Sequence, residues 1–183
     1  MWRKIGRLLN SYVVTNIKFI LIKIFHFNNF SFHFNNLISS KNIFDIQNKG
    51  SIYLGKNINI PYKSIFGVRE HGKMEISDGV FVNNNCQIIA HKNIKIGKNV
   101  CIGPNTIIMD HDHVISPDGI KKNKFVSKDI VIEDGVWIGA NCVILKGAKI
   151  GKNSVIAAGS VVNSEVSENK VLIQKRTNEF KEI

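Results

Sequence analysis

Ile132, Ile138, Ile144, Ile150, Ile156 and Val162 recur every six residues without a break. Neither a helix, with about 3.6 residues per turn, nor simple strand alternation accounts for a period of that length. A parallel β-helix does, with three short faces per coil and one aliphatic side chain from each face pointing down the axis. Gly or Ala follows three of them, Ile138, Ile150 and Ile156, and lets the backbone turn the corner. The same phase returns upstream at Ile96, Ile102 and Ile108, and the same six-residue step before that at Ile76, Val82 and Ile88. Leu54-Gly55 with Ile60 reads as a first, degenerate coil. The step from Ile88 to Ile96 is eight residues, so about two bulge out near Ala90–Asn93. The predicted class is all-β: a β-helix over 41–165, preceded by a helical and aromatic cap segment over 1–40 and followed by a short tail over 166–183.

Two stretches leave the pattern. Between Ile108 and Ile132 the run Asp110–Asp129 has no hexads and carries His-Asp-His, Ser-Pro-Asp-Gly and Lys-Lys-Asn-Lys, so a loop over 112–129 is expected to leave the solenoid. A turn-rich, charged excursion from a rigid scaffold is a common place for function. Near the N-terminus, Ile17, Ile20, Leu21 and Ile24 share helical spacing with Lys18 and Lys23 beside them, after Trp2, Arg3, Lys4 and Arg7. That apolar run is short for a bilayer span. Two roles stay open for it: lying in a membrane interface, or packing on the open end of the solenoid or on a neighbouring subunit. Phe25, Phe27, Phe30, Phe32 and Phe34 alternate with polar residues, which predicts extended chain with one apolar face covering the first coil.

Length changes the picture little: 183 residues suit one solenoid of roughly eight to ten coils plus an appendage. Cys86, Cys101 and Cys142 lack zinc-type spacing and read as core or wall residues, which points to a reducing compartment. The net charge of +11 suits anionic partners such as nucleotide-linked or lipid-linked groups or a membrane surface. Most lysines, among them Lys95, Lys98, Lys146, Lys149 and Lys152, nonetheless fall at hexad positions that face water. No basic stretch interleaved with aromatics suggests a nucleic-acid module.

The stretch Asp134–Val162, Asp-Gly-Val-Trp-Ile-Gly-Ala-Asn-Cys-Val-Ile-Leu-Lys-Gly-Ala-Lys-Ile-Gly-Lys-Asn-Ser-Val-Ile-Ala-Ala-Gly-Ser-Val-Val, resembles the signature of the hexapeptide-repeat O-acetyltransferases. Galactoside, maltose and Nod-factor acetyltransferases and capsule or O-antigen sugar acetyltransferases are of this kind. The likeness covers roughly 50–165. It implies a left-handed parallel β-helix, a homotrimer with sites in the clefts between subunits, and acetyl-CoA as donor with no metal. The implied reaction is acetyl transfer to a sugar hydroxyl in surface-polysaccharide synthesis. The acceptor would be a small-molecule or lipid-linked sugar, and the location cytoplasmic, at the inner face of the membrane if the N-terminal helix docks there.

The resemblance also places residues. His111, in Asp110-His111-Asp112-His113, falls where the family has its catalytic base, with His113 the runner-up and Asp112 or a main-chain carbonyl as the group that orients the ring. An imidazole in that place can take the proton of a hydroxyl as it attacks a thioester. Trp137, Ala140 and Ala158 match positions along the pantetheine channel. Lys175 and Arg176 resemble a Gln-Lys-Arg tail suited to a CoA phosphate. Asn83, with Asn84 and Asn85, matches an acceptor contact, and His91 is a further acceptor-binding candidate, standing where the resemblance implies an acidic acceptor contact. Rivals remain open: amino-sugar N-acetylation; a longer acyl-CoA as donor; a carbonic-anhydrase-like zinc protein using His91, His111 and His113; and a scaffold that binds no CoA.

Overall fold

The hexad residues of the computed structural model, which describes Gly6 and residues 9–175, all point down one axis. Successive heads belong to successive faces: Ile132, Ile138 and Ile144 stand on the first, second and third faces, and Ile150, Ile156 and Val162 repeat the cycle one coil later. Three parallel sheets result, of seven, seven and six strands. The solenoid therefore makes six complete coils and two faces of a seventh, fewer than the eight to ten that chain length allows. The difference lies in how residues are spent. Early coils are long, with 22 residues separating the paired residues Phe30 and Ile52, whereas Ile132 stacks on Ile150 after 18. A helix and a hairpin take most of the remainder.

Stacking generates the core directly from the repeat. Ile38, Ile60, Val82, Ile102, Ile138, Ile156 and Leu172 form one column along the second face. Phe44, Phe66, Ile88, Ile108, Ile144 and Val162 form another along the third. Most are fully buried, and deleting one such side chain, as in Ile→Ala, typically costs about 2–5 kcal/mol. Corners are tightened by asparagines in the left-handed region, including Asn85, Asn105, Asn141 and Asn153 (φ 56 to 58°). Asparagine tolerates that backbone because its short side chain bonds locally. Gly139 is required for another reason: a Cβ there would lie 2.6 Å from the Ala158 nitrogen of the next coil.

Pairing begins at Phe30–Ser31, so the first coil starts ahead of Leu54 and is aromatic where later coils are aliphatic. It is capped by α1 (Thr15–Phe25). Phe19 is buried with its ring centroid 5.2 Å from Phe30, 5.2 Å from Phe32 and 4.9 Å from Phe44. Thr15 Oγ1 donates to the Ile38 carbonyl, and Lys18 Nζ donates to the carbonyls of Ser40 and Asn42. The docking face of α1 is thus Thr15, Lys18, Phe19 and Ile22. The stripe that spacing picked out, Ile17, Ile20, Leu21 and Ile24, points outward instead. The Phe25–Phe34 alternation is not one extended strand either. A turn at His26–Asn29 breaks it, so Phe30 and Phe32 pack on Phe19 while Phe25, Phe27 and Phe34 are exposed. Trp2, Arg3, Lys4, Arg7 and Arg176 lie outside the described residues.

At the far end Gln174 finishes the third face. Its side-chain oxygen accepts from the Val161 N–H at 2.9 Å and its amide nitrogen donates to the Val161 carbonyl at 2.7 Å. One side chain thereby supplies both bonds that a seventh strand would have made.

Candidate active site

The excursion after Ile108 is an antiparallel hairpin, His111–Ser116 with Gly119–Ser127, closed at its base by Lys128 N–H on the Asp110 carbonyl. At its tip Ser116 Oγ donates to the Gly119 carbonyl, and Gly119 sits at φ 102°, where a side chain would be strained. The register slips between His113 and Val114, so Lys122, Asn123 and Lys124 bulge out and Phe125 faces His113.

Asp110 stands where the third face turns into the hairpin. Along this strand Ile108 points inward and Met109 outward, so strict alternation sends Asp110 inward, the place held by Val68 and Ala90 in the two preceding coils. A fully buried carboxylate must be compensated, and this one is. Its Oδ1 accepts the His91 N–H, and its Oδ2 accepts the N–H groups of Lys92 and Asn93, each at 2.8 Å. The two-residue bulge after Ala90 exists in the structure as the turn that aims these three donors at one carboxylate. The fourth partner is His111 Nδ1, 3.2 Å from Asp110 Oδ1. Burial pushes the Asp110 pKa up, but the His111 bond and the three backbone bonds outweigh it and hold the carboxyl below its ordinary value.

An ionised Asp110 can only accept, so the Nδ1 it meets carries the proton, and in the neutral ring Nε2 is left as a base. Asp112 is engaged elsewhere, in an ion pair with Lys146 of the following coil that ties the hairpin to the solenoid. The rings of His91 and His111 lie 3.8 Å apart, and Phe125 covers both, with centroids 4.3 and 5.5 Å away. His113 packs on the same Phe125 at 4.7 Å. Burial, together with charge on His111, lowers the His91 pKa. Neutral His91 is therefore favoured in the folded state. Its stabilising contribution is complete above the ordinary value of 6.5 and declines as pH falls through it toward the folded value. Melting temperature is expected to drop on acidification below about pH 6.5, and His91→Gln should flatten that slope.

Within one chain the remaining candidates lie apart from this cluster. Asn83, Asn84 and Asn85 occupy the corner between second and third faces, and Ala140 and Ala158 lie on the same edge in later coils. The Asn83 side chain accepts from the Asn84 N–H, and Asn85 donates to Asn105 along the corner. Trp137 projects from the second face, exposed, in line with Phe81, Cys101 and Val155. Lys175 is exposed just after Gln174. Among the described residues no group of three or more His, Cys, Asp or Glu is placed to hold a metal ion, and His91, His111 and His113 gather around a phenyl ring instead. Two contributors escaped sequence reasoning. Asp110 was signalled by its inward parity, and Phe125 by being the sole aromatic in the Lys-rich run.

Residues 129–164 match the family model described as bacterial transferase hexapeptide, six repeats. The chain carries the hexapeptide repeat of bacterial transferases. It is 36% identical over 120 residues to galactoside O-acetyltransferase of Lactococcus lactis, covering 64% of this chain and 56% of that protein. Against galactoside O-acetyltransferase of Escherichia coli it is 36% identical over 98 residues, 54% of this chain and 48% of the relative. The chain thus spans about half the length of these relatives. A crystal structure of a hexapeptide-repeat acetyltransferase from Vibrio cholerae, complexed with acetyl coenzyme A, aligns at 30% identity with a TM-score of 0.54. It covers 72% of this chain and 64% of that one. The coil is the left-handed parallel β-helix of such acetyltransferases.

Proposed function

We propose that this hexapeptide-repeat protein is an acyltransferase that moves an acetyl group from acetyl-CoA to a sugar hydroxyl. The observation that carries the reading is His111, held through Nδ1 by the buried Asp110 so that Nε2 is the base. The relatives named galactoside O-acetyltransferase, and the neighbour bound to acetyl coenzyme A, support donor and reaction. Nε2 takes the proton of the acceptor hydroxyl as its oxygen attacks the thioester carbonyl. A backbone N–H of a neighbouring coil bonds the tetrahedral oxyanion. Collapse then expels the CoA thiolate, which recovers the proton from the imidazolium.

The partition of candidate residues supports a homotrimer. His91 and His111 stand on one edge of the third face, and Asn83, Ala140 and Ala158 on the other. One site made from both sets needs a second copy of the chain. In that arrangement Trp137, Ala140 and Ala158 line the donor channel and Lys175 with Arg176 meets a CoA phosphate. The acceptor is a sugar or lipid-linked glycan precursor of surface-polysaccharide synthesis, handled on the cytoplasmic side, with Asn83, Asn84 and Asn85 toward its hydroxyls.

The test is calorimetric titration with acetyl-CoA, followed by product analysis with labelled donor and a panel of hexosides and amino sugars. Saturable binding, weakened by Lys175→Ala with Arg176→Ala, and an alkali-labile ester are expected. An alkali-stable amide would replace the hydroxyl acceptor with an amine. Absence of CoA binding would remove the acyltransferase reading altogether.

A further inference from the structure

Once Phe19 is sealed into the first coil, α1 still presents a second apolar face. Val13, Ile17, Ile20, Leu21 and Ile24 follow helical spacing along it and are 44–65% exposed. Phe25 at the helix end, with Phe27 and Phe34 after it in sequence, is exposed too, at 81, 70 and 63% respectively. Val14, Ile17, Leu21 and Phe25 line a shallow groove of about 510 Å³ at the border of this surface with the docking face, where Lys18, Ile22 and His26 complete it. A contiguous apolar surface of this kind marks an interaction site. It is too short to cross a bilayer: α1 has 11 residues, and among the described residues no helix is long and apolar enough to span.

Charge selects the occupant. The first acidic residue of the chain is Asp45; before it stand Arg3, Lys4, Arg7, Lys23 and Lys41, besides Lys18, whose Nζ is held by the Ser40 and Asn42 carbonyls. A second copy docked through the same segment would bring one basic, acid-free stretch of sequence against another, which disfavours self-pairing. An anionic lipid surface satisfies both features at once, taking the apolar stripe at the acyl boundary and the cations among its headgroups. Lys23 holds a snorkelling posture suited to that boundary, with Nζ bonded to the Phe27 carbonyl and 5.1 Å from the centre of the Phe27 ring.

We propose that the outward face of α1, centred on Ile17, Leu21 and Ile24, docks the protein on the surface of an anionic membrane, lying in its interface. This goes beyond acetyl transfer and stands or falls separately from it.

The experiment is co-sedimentation of the full chain with phosphatidylglycerol/phosphatidylcholine vesicles and with pure phosphatidylcholine vesicles, in low and high salt. It compares wild type with the combined variant Ile17→Glu, Leu21→Glu, Ile24→Glu. These positions leave Phe19 and its aromatic partners untouched, and melting temperature with circular dichroism confirms the variant's fold. Wild type is expected on the anionic vesicles, with partitioning at least about tenfold weaker on pure phosphatidylcholine and for the variant. Wild type left in the supernatant overturns the proposal. So does a variant that binds as well as wild type, since attraction would then be purely electrostatic. A variant whose mass in vesicle-free solution is a fraction of wild type's also overturns it, because the face would then join subunits.

Discussion

Replacing His111 with Ala is expected to lower kcat for acetyl transfer by about 10²–10⁴-fold, the usual contribution of a positioned general base. CoA binding should be nearly unchanged, because none of the proposed donor contacts touches the ring. The effect should fall on kcat because a sugar hydroxyl loses its proton only as the new bond forms. The loss should not be a folding defect. The His111 side chain makes one hydrogen bond, to Asp110, and the three backbone N–H groups that hold that carboxylate remain. His113→Ala is the control. Its ring packs on Phe125 and no bond to a carboxylate orients it, so a small loss is expected there. The measurement is thiol release from acetyl-CoA in the presence of an accepted sugar. Turnover retained by His111→Ala and lost by His113→Ala would transfer the role of base to His113.

Most of the fold was legible because one period sets everything. A side chain every sixth residue must land on successive faces of a three-sided coil, so Ile132 to Val162 fixes both the axis and the stacking columns. What a period cannot show is where it lapses. The first coil is built from Phe30, Ile38 and Phe44, whose spacing is stretched, so it was hidden in the cap segment. In α1 two faces are apolar, and spacing chose the one richer in aliphatics; the bulk of a single residue, Phe19, decides which face docks. At the site, likeness to relatives pointed to His111 and assigned no role to Asp110. Alternation along Ile107-Ile108-Met109 was the available signal, and it sends a carboxylate into the core. Asn85 shows the opposite limit, since an Asn-rich corner reads equally as sugar contact or as turn chemistry, and here its φ is 57°.

Asp110→Asn is expected to damage both stability and turnover, and the geometry says how. Each carboxylate oxygen accepts two hydrogen bonds, Oδ1 from His91 N–H and His111 Nδ1, Oδ2 from Lys92 and Asn93 N–H. An amide must place its NH₂ at one of the two positions. Placed at Oδ2, it faces two backbone donors and leaves both unsatisfied, at about 1–3 kcal/mol for each buried group. Placed at Oδ1, it opposes the His91 N–H, and it forces His111 Nδ1 to accept, which moves the ring proton to Nε2 and removes the base. Melting temperature should therefore fall in either orientation. In the second, kcat should drop by an amount approaching that of His111→Ala, with CoA affinity held. Nitrogen NMR of the imidazole separates a positioning role from a merely structural one. Wild type should show protonated Nδ1 and free Nε2 at neutral pH, and an Nε2–H tautomer in the variant would tie the lost rate to the ring. A destabilised variant that keeps full kcat below its melting temperature would confine Asp110 to holding the His91–Asn93 turn.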